Sequence, residues 1–558
     1  MNSCSLSALT RLAVGLLSVI IVAAGCRTNS NRYGLHELGR STQDIQEIEP
    51  LQLKKTEPNE PRPEPNVPPP ATLDLSLEQS RALALENNLQ LKADLINPAI
   101  AAAQLNTEEA KFESAFFANV NLLKTDQPFG RLVEIPGTGI LVPTVTASQR
   151  ERADVDLGVQ MPLRTGGSVT FDIQDIETDN LNAGLIDINP IFENRTAISL
   201  SQPLLRNAGQ RVTMYSIQVA AYNRDIVSAR TRLDVIAVLA ALDRTYWRLY
   251  AARKELEVRE QQHRLALAQL ESARRLVEAG QRAPVEIIRA EAGVAQQLEQ
   301  IIIAENNLRD RERELKRVVN RAGLNTQSPT VVIPTTLPDP VHYDLESPRL
   351  VDQAMESRME LLELQLQLLQ DASAVDFARN QTLPVATLDY TYNISATGPS
   401  RDESLDMLFN SDFADHRLGL QMVVPLGNQA AKNRLRQAIY QRRQRLATRA
   451  DRAELIKLEV LNAADQVEAN WQRILAARQN AILNGRLYEA EQRQFEQGQR
   501  TSTEVLDAQT RFADAQSSEI RALAEYQIAL VDLAYATGTL LGATKVSWEP
   551  IVPATDVE

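Results

Sequence analysis

The 558-residue sequence contains few aromatic residues, glycines, cysteines and histidines. Aromatic residues make up 5% of it and only 22 residues are glycine, which disfavours a series of ordinary globular domains. The two cysteines lie at positions 4 and 26, so a chain that begins at Cys26 has no internal disulfide. The four histidines are scattered without metal-ligand spacing, and no phosphate-binding loop, nucleophile elbow or Cys-x-x-Cys motif occurs. The sequence therefore predicts no enzyme, no cofactor and no bound metal.

Alanine, leucine, glutamine, glutamate and arginine fill the middle of the chain instead. This mixture is typical of long helices that pack through small residues. The formal net charge is −13, and both signs alternate along the helical stretches. Because no basic stripe offsets the acidic balance, nucleic-acid binding is disfavoured.

The N-terminus has the layout of a bacterial signal peptide. An apolar run follows Arg11, is too short to span a bilayer comfortably, and ends in small residues before Cys26. The Gly25–Cys26 pair resembles a lipobox, which implies that residues 1–25 are removed and Cys26 is lipidated. Ordinary signal cleavage beside an incidental cysteine is the alternative. Residues 26–73 hold seven prolines between positions 58 and 70, which predicts an extended tether to the lipid.

One eleven-residue segment occurs twice. Gly280–Ala290 reads GQRAPVEIIRA, and Gly498–Ala508 reads GQRTSTEVLDA. Each copy lies between a very long amphipathic pattern and a shorter one, which indicates a duplicated unit. Because glycine tolerates the left-handed conformation that ends a helix, each segment is predicted to be the tip of a helical hairpin.

The predicted organisation is α+β, mainly α, with two tandem helix–strand–helix repeats. The first repeat covers 74–325, with strands over about 114–204, a long helix over 206–279 and a shorter helix over 283–322. A linker at 326–343 precedes the second repeat at 344–542, with strands over about 384–425, a long helix over 428–497 and a shorter helix over 502–541. Residues 543–558 form a C-terminal tail.

The strands alternate apolar and polar residues with a period of two, which suits either a membrane barrel with a wet lumen or a soluble sandwich. Two strands per repeat are the favoured interpretation, with outward-facing loops at 123–150, 176–194 and 397–415. The alternating stretch 168–174 either adds a hairpin, which raises the count to six strands, or continues the strand before it. We favour a shared twelve-stranded core with an elaborated first hairpin. One chain has too few strands to close a pore by itself. In the membrane interpretation, several copies must therefore join their sheets.

The signal and lipobox, the duplicated units and the Gly-Gln-Arg tips together resemble the TolC family of outer-membrane efflux and secretion channels. Ser199–Leu204 and Gly419–Leu426 are similar to the family's strand entering its long helix, and Gly498–Ala508 to its last hairpin tip. The resemblance implies a homotrimer with a shared twelve-stranded outer-membrane barrel and a periplasmic helical tunnel. It also implies a periplasmic adaptor and an inner-membrane transporter as partners, and a lipid-anchored outer-membrane location.

The resemblance places the family's two gate acids at Glu504 and Asp507. In a trimer they would form two carboxylate rings that favour cations. The first repeat has Glu286 and Arg289 at these positions, so only the second repeat is expected to line the gate. Without the resemblance, two solvated acids at a helix N-terminus would be the simpler interpretation.

The tips themselves are candidates for adaptor contact, with solvated loop arginines as the alternative. The tip residues are Gly280, Gln281, Arg282, Gly498, Gln499 and Arg500. The competing function for the whole chain is a lipid-anchored periplasmic coiled-coil adaptor or scaffold without a pore. Such adaptors usually carry a single hairpin, so the duplication favours the channel.

Overall fold

The computed structural model describes residues 71–181 and 188–546, and all of them belong to one unit. The predicted signal peptide, Cys26 and nearly all of the tether lie outside the described residues, as does most of the C-terminal tail. The first repeat contains β1 (Thr72–Leu75), α1 (Leu77–Asn87), α2 (Leu89–Asp94), α3 (Asn97–Glu109), β2 (Ala115–Glu134), β3 (Leu141–Pro162), β4 (Ser168–Asn180), β5 (Ile191–Pro203), α4 (Gln210–Thr213), α5 (Tyr215–Glu278) and α6 (Val285–Val319).

The second repeat follows the same order with fewer strands. It contains β6 (Val331–Pro334), α7 (Ser347–Ser357), α8 (Met359–Asn380), β7 (Val385–Gly398), α9 (Arg401–Asn410), β8 (Ala414–Val423), α10 (Gln429–Glu496), α11 (Ser502–Ala536) and α12 (Leu540–Ala543). The predicted fold class is confirmed: the chain is α+β, mainly α, and consists of two helix–strand–helix repeats.

The two long helices set the dimensions of the hairpins. Helix α5 has 64 residues and α10 has 68, which corresponds to about 96 and 102 Å at 1.5 Å per residue. Helices α6 and α11 have 35 residues each and pack back against them. Alanine occupies many of the buried positions of α11, so the helix axes can approach closely. Among the described residues, no helix is both long and apolar enough to cross a membrane.

Short elements tie the start of one repeat to the start of the other. Strand β1 pairs in parallel with β6, from Thr72 opposite Val331 to Leu75 opposite Pro334. The hydroxyl of the fully buried Tyr246 donates to the carbonyl of Leu75 at 3.1 Å and accepts from the N–H of Thr336 at 2.9 Å. The long helix α5 is thereby fixed to both repeats.

A six-stranded antiparallel sheet, in the order β2-β3-β4-β5-β7-β8, joins the two repeats. The stretch 168–174 therefore belongs to a separate strand, β4, and does not continue β3, so each chain has six strands in this sheet. Gly166 has φ +96°, and the N–H of Leu163 bonds the carbonyl of Gly167 at 2.8 Å, which reverses the chain between β3 and β4. The alternation of apolar and polar residues could not reveal this reversal. Directly opposed residues of antiparallel strands lie on the same face, so the pattern is the same for a hairpin as for one continuous strand.

The predicted loop at 123–150 was mostly wrong, and the loop at 176–194 was wrong at both of its ends. Strands β2 and β3 pair without interruption from Ala115 opposite Gln160 to Glu134 opposite Leu141, so 123–150 is strand apart from its turn. Within 176–194, β4 continues to Asn180 and β5 begins at Ile191. In 397–415, the Ser400 side chain caps α9, and Ser404 accepts a buried hydrogen bond from Asn194 of β5 at 2.9 Å.

The sheet has one apolar and one polar face. A row of directly opposed residues crosses the apolar face; it runs Phe116, Val159, Phe171, Ile198, Tyr392 and His416. A row on the other face runs Asn119, Asp156, Gln174, Arg195 and Ser395. Phe116 is 70% exposed and Leu122 is 72% exposed on the apolar side of β2. An apolar surface of this extent is unusual for a protein that meets only water.

Candidate functional site

The two hairpin tips have the same backbone geometry. Gly280 has φ +69° and Gly498 has φ +83°, which side chains other than glycine rarely adopt. The N–H of Gly280 bonds the carbonyl of Val277 at 2.9 Å, and the N–H of Gln281 bonds that of Leu276 at 2.9 Å. Gly498 and Gln499 repeat this pattern at 3.0 and 2.9 Å. This is a Schellman motif, and it ends each long helix at its tip.

Glu504 closes the N-terminus of α11. Its carboxylate accepts from the Thr501 N–H at 2.8 Å, and the Thr501 side chain accepts from the Glu504 N–H, so the two residues form a capping box. The Thr501 hydroxyl also lies 3.1 Å from the carboxylate. Arg500 donates to its other oxygen at 2.7 Å. The Thr501 N–H and the Arg500 guanidinium hold the pKa of Glu504 below its usual value. Glu504 is therefore an ionised carboxylate already engaged within its own tip.

Asp507 lies one helical turn further along α11. Its side chain is 59% exposed and pairs with Arg511 at 2.7 Å. Glu504 and Asp507 are three residues apart, which places them on neighbouring positions of one helical face. The structure thus brings the two predicted gate acids together and gives each an arginine from its own chain.

The corresponding acid of the first repeat has a different role. Glu286 is 5% exposed, and its carboxylate accepts from the Ser502 N–H of the other hairpin at 2.9 Å. Its second oxygen accepts from Arg289 at 2.6 Å. Burial on its own would raise the pKa of Glu286, but the Ser502 N–H and Arg289 bring it below the usual value. Glu286 therefore stabilises the start of α11 rather than facing an opening.

Arg282 joins the two tips from the same side. Its guanidinium donates to the carbonyls of Phe495 and Arg500 at 3.1 and 2.6 Å and lies 5.1 Å from the centre of the Phe495 ring. Arg282 and Arg500 are half-buried, so neither is a fully solvated loop arginine. Both guanidinium groups instead satisfy carbonyl and carboxylate oxygens at the tips. Gly280, Gln281, Gly498 and Gln499 are exposed, as a contact surface requires.

These contacts between the hairpins were missed by the sequence analysis. Each repeat has a glutamate six residues after the tip glycine, yet one caps its own helix and the other caps its neighbour's. The usable signal was the pair Ala283 and Thr501, because alanine stands where the capping hydroxyl would be in the first copy. Glu286 consequently has no capping box of its own to complete.

No cluster of three or more histidine, cysteine, aspartate or glutamate side chains suited to a metal ion occurs in 71–181 or 188–546. The tips thus consist of helix caps, ion pairs and exposed amides. Paired long helices below an amphipathic sheet are the architecture of an outer-membrane channel protein.

Comparison with known proteins supports this class. The family model described as "Outer membrane efflux protein" matches residues 175–321 and 350–539, which together span more than half of the chain. The protein belongs to this family, and the resemblance to TolC channels is confirmed. Outer membrane protein TolC of Vibrio cholerae is 23% identical over 367 residues, which cover 65% of this chain and 78% of that protein.

Solved structures show the same fold. The CmeC outer membrane channel of Campylobacter jejuni superposes with a TM-score of 0.60 at 14% identity and covers 83% of this chain and 86% of its own. The open state of the MtrE outer membrane channel of Neisseria gonorrhoeae has a TM-score of 0.56 at 16% identity, with coverages of 83% and 89%. The chain is therefore an outer-membrane protein of the efflux channel family.

Proposed function

We propose that three copies of this chain form a channel that carries cargo from the periplasm to the exterior. The carrying observation is the sheet, which has one apolar face, one polar face and two open edges above long helical hairpins. Lipid can cover the apolar face, but open edges cannot remain in lipid, so several copies must join into a closed barrel. Family membership supports this assembly over a pore-free adaptor.

The partners we propose are a periplasmic adaptor and an inner-membrane transporter, as in a tripartite efflux or type I secretion system. The exposed amides of Gln281 and Gln499 and the open backbone of Gly280 and Gly498 supply the contact surface at the tips. Lipidation of Cys26 would add an anchor to the outer membrane. The chain itself carries out no chemical step in this proposal, because the channel only conducts the cargo and the inner-membrane transporter supplies the energy.

Glu504 and Asp507 are proposed to line the periplasmic gate. Three observations support this assignment. The two acids share one helical face, the pKa of Glu504 is lowered, and Glu286 of the first repeat bonds the other hairpin instead. Two carboxylates per chain at a narrow opening would attract cations and repel anions.

The test is the purified full-length protein in planar bilayers, together with its detergent-corrected mass. We expect a trimeric mass and discrete, cation-preferring conductance steps, with heat-denatured protein as the control. A monomer that never conducts would reject the channel and favour the lipid-anchored adaptor.

A further inference from the structure

We propose that all six strands of each copy enter the membrane barrel, so that three copies build an eighteen-stranded barrel. The closing contact is the β8 edge of one copy against the β2 edge of the next. This inference rests on the trimeric channel proposed above. It differs from the twelve strands that the family resemblance implies.

The two edges are the first requirement. Within the residues that the structure describes, β2 pairs only with β3 and β8 pairs only with β7. Each unpaired backbone group would cost several kcal/mol in lipid, so both edges need a partner there. Strand β2 leaves helix α3 and β8 returns to helix α10, so the two edges run in opposite directions and suit an antiparallel pair.

The ends of the strands are already staggered as a barrel requires. On the side near the helices, β3 extends two residues past the start of β2, since Ala115 pairs with Gln160. Strand β5 extends two residues past the start of β4, and β7 extends two residues past the end of β5. Together with the offset between β2 and β3, the strand ends shift by six residues across the sheet. An average offset of one residue per strand corresponds to strands tilted by roughly 35° from the barrel axis, which is within the range seen in closed barrels.

The same stagger predicts the register of the closing pair. If the ends near the helices are level, as Val385 and Val423 are, Ala115 lies opposite Val423 of the partner subunit. Phe116 then lies opposite Met422 of the partner subunit, and Asn119 lies opposite Gly419 of the partner subunit. Apolar residues meet apolar ones on the lipid side, and the polar face continues without a break.

Barrel width is compatible with eighteen strands. Eighteen strands spaced about 4.8 Å apart at this tilt give a backbone diameter of roughly 34 Å, against roughly 22 Å for twelve. Below the sheet, α5 packs between α3 and α8, and α8 packs against α10, which makes four helices side by side. Twelve helices from three copies, at spacings of about 8 to 10 Å, form a ring roughly 31 to 38 Å wide. The width expected for eighteen strands falls within this range.

Charge favours the same neighbour at the outer helices. Helix α10 exposes Arg436 and Arg443 near the sheet, whereas α3 and the turn after it expose Glu109 and Glu113. These helices follow β8 and precede β2, so closing the barrel would bring the two charged surfaces together. A second copy of this chain is therefore the occupant that fits both edges.

A twelve-stranded barrel would require β8 to pair with β4 of the next copy. That arrangement breaks the β3–β4 ladder, which runs from Arg150 opposite Asn180 to Pro162 opposite Ser168. It also removes the β2–β3 hairpin from the sheet while its apolar side chains stay exposed. The level-end rule then places Asp172 opposite Gly419 of the partner subunit.

Disulfide cross-linking separates the two arrangements. Gly419→Cys is combined with Asn119→Cys for eighteen strands or with Asp172→Cys for twelve. A side chain at position 419 meets nothing closer than 3.9 Å, and both natural cysteines precede residue 27. The matched control is Asp389→Cys with Gly419→Cys, since these positions are directly opposed within one chain and report correct folding. The chain without added cysteines controls for background links.

We expect oxidation in native membranes to convert the Asn119→Cys, Gly419→Cys protein into covalent trimers, while the control pair gives only linked monomers. Links through Asp172→Cys but not through Asn119→Cys would overturn the eighteen-stranded barrel and leave a conducting channel intact. No link between chains for either pair, with a well-folded control and a monomeric, non-conducting wild type, would overturn the channel proposal as well.

Discussion

At the scale of single residues, the duplicated glutamates illustrate how one sequence position acquires two functions. Glu504 bonds the backbone of its own helix N-terminus, whereas Glu286 bonds that of the other hairpin. Both carboxylates have pKa values below normal, but one is close to solvent and the other is buried. Sequence similarity between the repeats shows that the two glutamates occupy equivalent positions, but it does not show which backbone group each one bonds.

Replacing Glu286 by Gln should destabilise the tips by about 1 to 2 kcal/mol at neutral pH, because a charge-assisted hydrogen bond to Ser502 is weakened. The pKa of Glu286 is lowered in the folded state, so its contribution is present above the ordinary value of 4.5 and is lost as pH falls through the folded value. The difference from wild type should shrink in that range. Thermal unfolding in detergent from pH 7 to pH 3 measures this.

The matched control for that experiment is Glu291→Gln. Glu291 lies on the same helix and forms an ion pair with Arg274 in which both side chains are about half exposed. Exposed pairs of this kind contribute little, so its unfolding temperature should stay near that of wild type. Equal shifts in both variants would contradict the role of Glu286 as a cap.

Replacing Glu504 by Gln together with Asp507 by Asn should reduce the cation preference of the channel. Glutamine can still complete a capping box, so the tip keeps its fold while the charge is removed. Reversal potentials in a salt gradient measure the selectivity. Glu286→Gln is the internal comparison, and a double variant as selective as wild type would remove the gate assignment.

At the scale of elements, the tips depend on backbone conformation rather than on packing. No atom lies within 4 Å of where a Cβ would stand on Gly498, yet its φ of +83° disfavours any other residue. Gly498→Ala should therefore cost about 1 kcal/mol and loosen the turn. Gly542→Ala is the control, because position 542 is also open but has no positive φ.

Hydrogen exchange of the amides around 496–502 reads out this change locally. We expect faster exchange at the tip in Gly498→Ala and unchanged exchange there in Gly542→Ala. Unchanged exchange in both variants would mean that the left-handed turn contributes nothing to the order of the tip.

The helices could be predicted from sequence because their apolar positions recur over dozens of residues without an interrupting proline. The opening segment was harder, since Asn88 caps α2 and Pro98 lies in the first turn of α3, which divides it into short helices. The β3–β4 reversal depends on Gly166, and one glycine carries too little information to separate a turn from a continuing strand. The bonds from Glu286 and Arg282 link residues more than 200 positions apart, which no local pattern encodes.

At the scale of the whole molecule, the sheet and the predicted lipid are two separate means of attachment to a membrane. The apolar side of β2, with Phe116 and Leu122 exposed, needs lipid or detergent regardless of any acyl chain. A tethered adaptor would depend on its lipid alone. The channel and the adaptor hypotheses therefore predict different membrane attachment when lipidation is removed.

A chain that starts at Arg27 behind a conventional cleavable signal should lose acyl labelling yet remain in outer membranes after an alkaline wash. The full-length protein, which we expect to incorporate labelled fatty acid at Cys26, is the control. Release of the lipid-free chain into the wash would contradict a membrane-spanning sheet.

The contacts between the tips have a further consequence for how an opening would proceed. Arg282 and Glu286 of the first hairpin bond backbone groups at the tip of the second. One hairpin therefore cannot swing away without breaking the bond to the buried Glu286 carboxylate and both bonds that Arg282 donates. We therefore expect the two hairpins of a chain to move together. A trimer would then pass from closed to open in three chain-sized steps, and partial opening should appear as thirds rather than sixths.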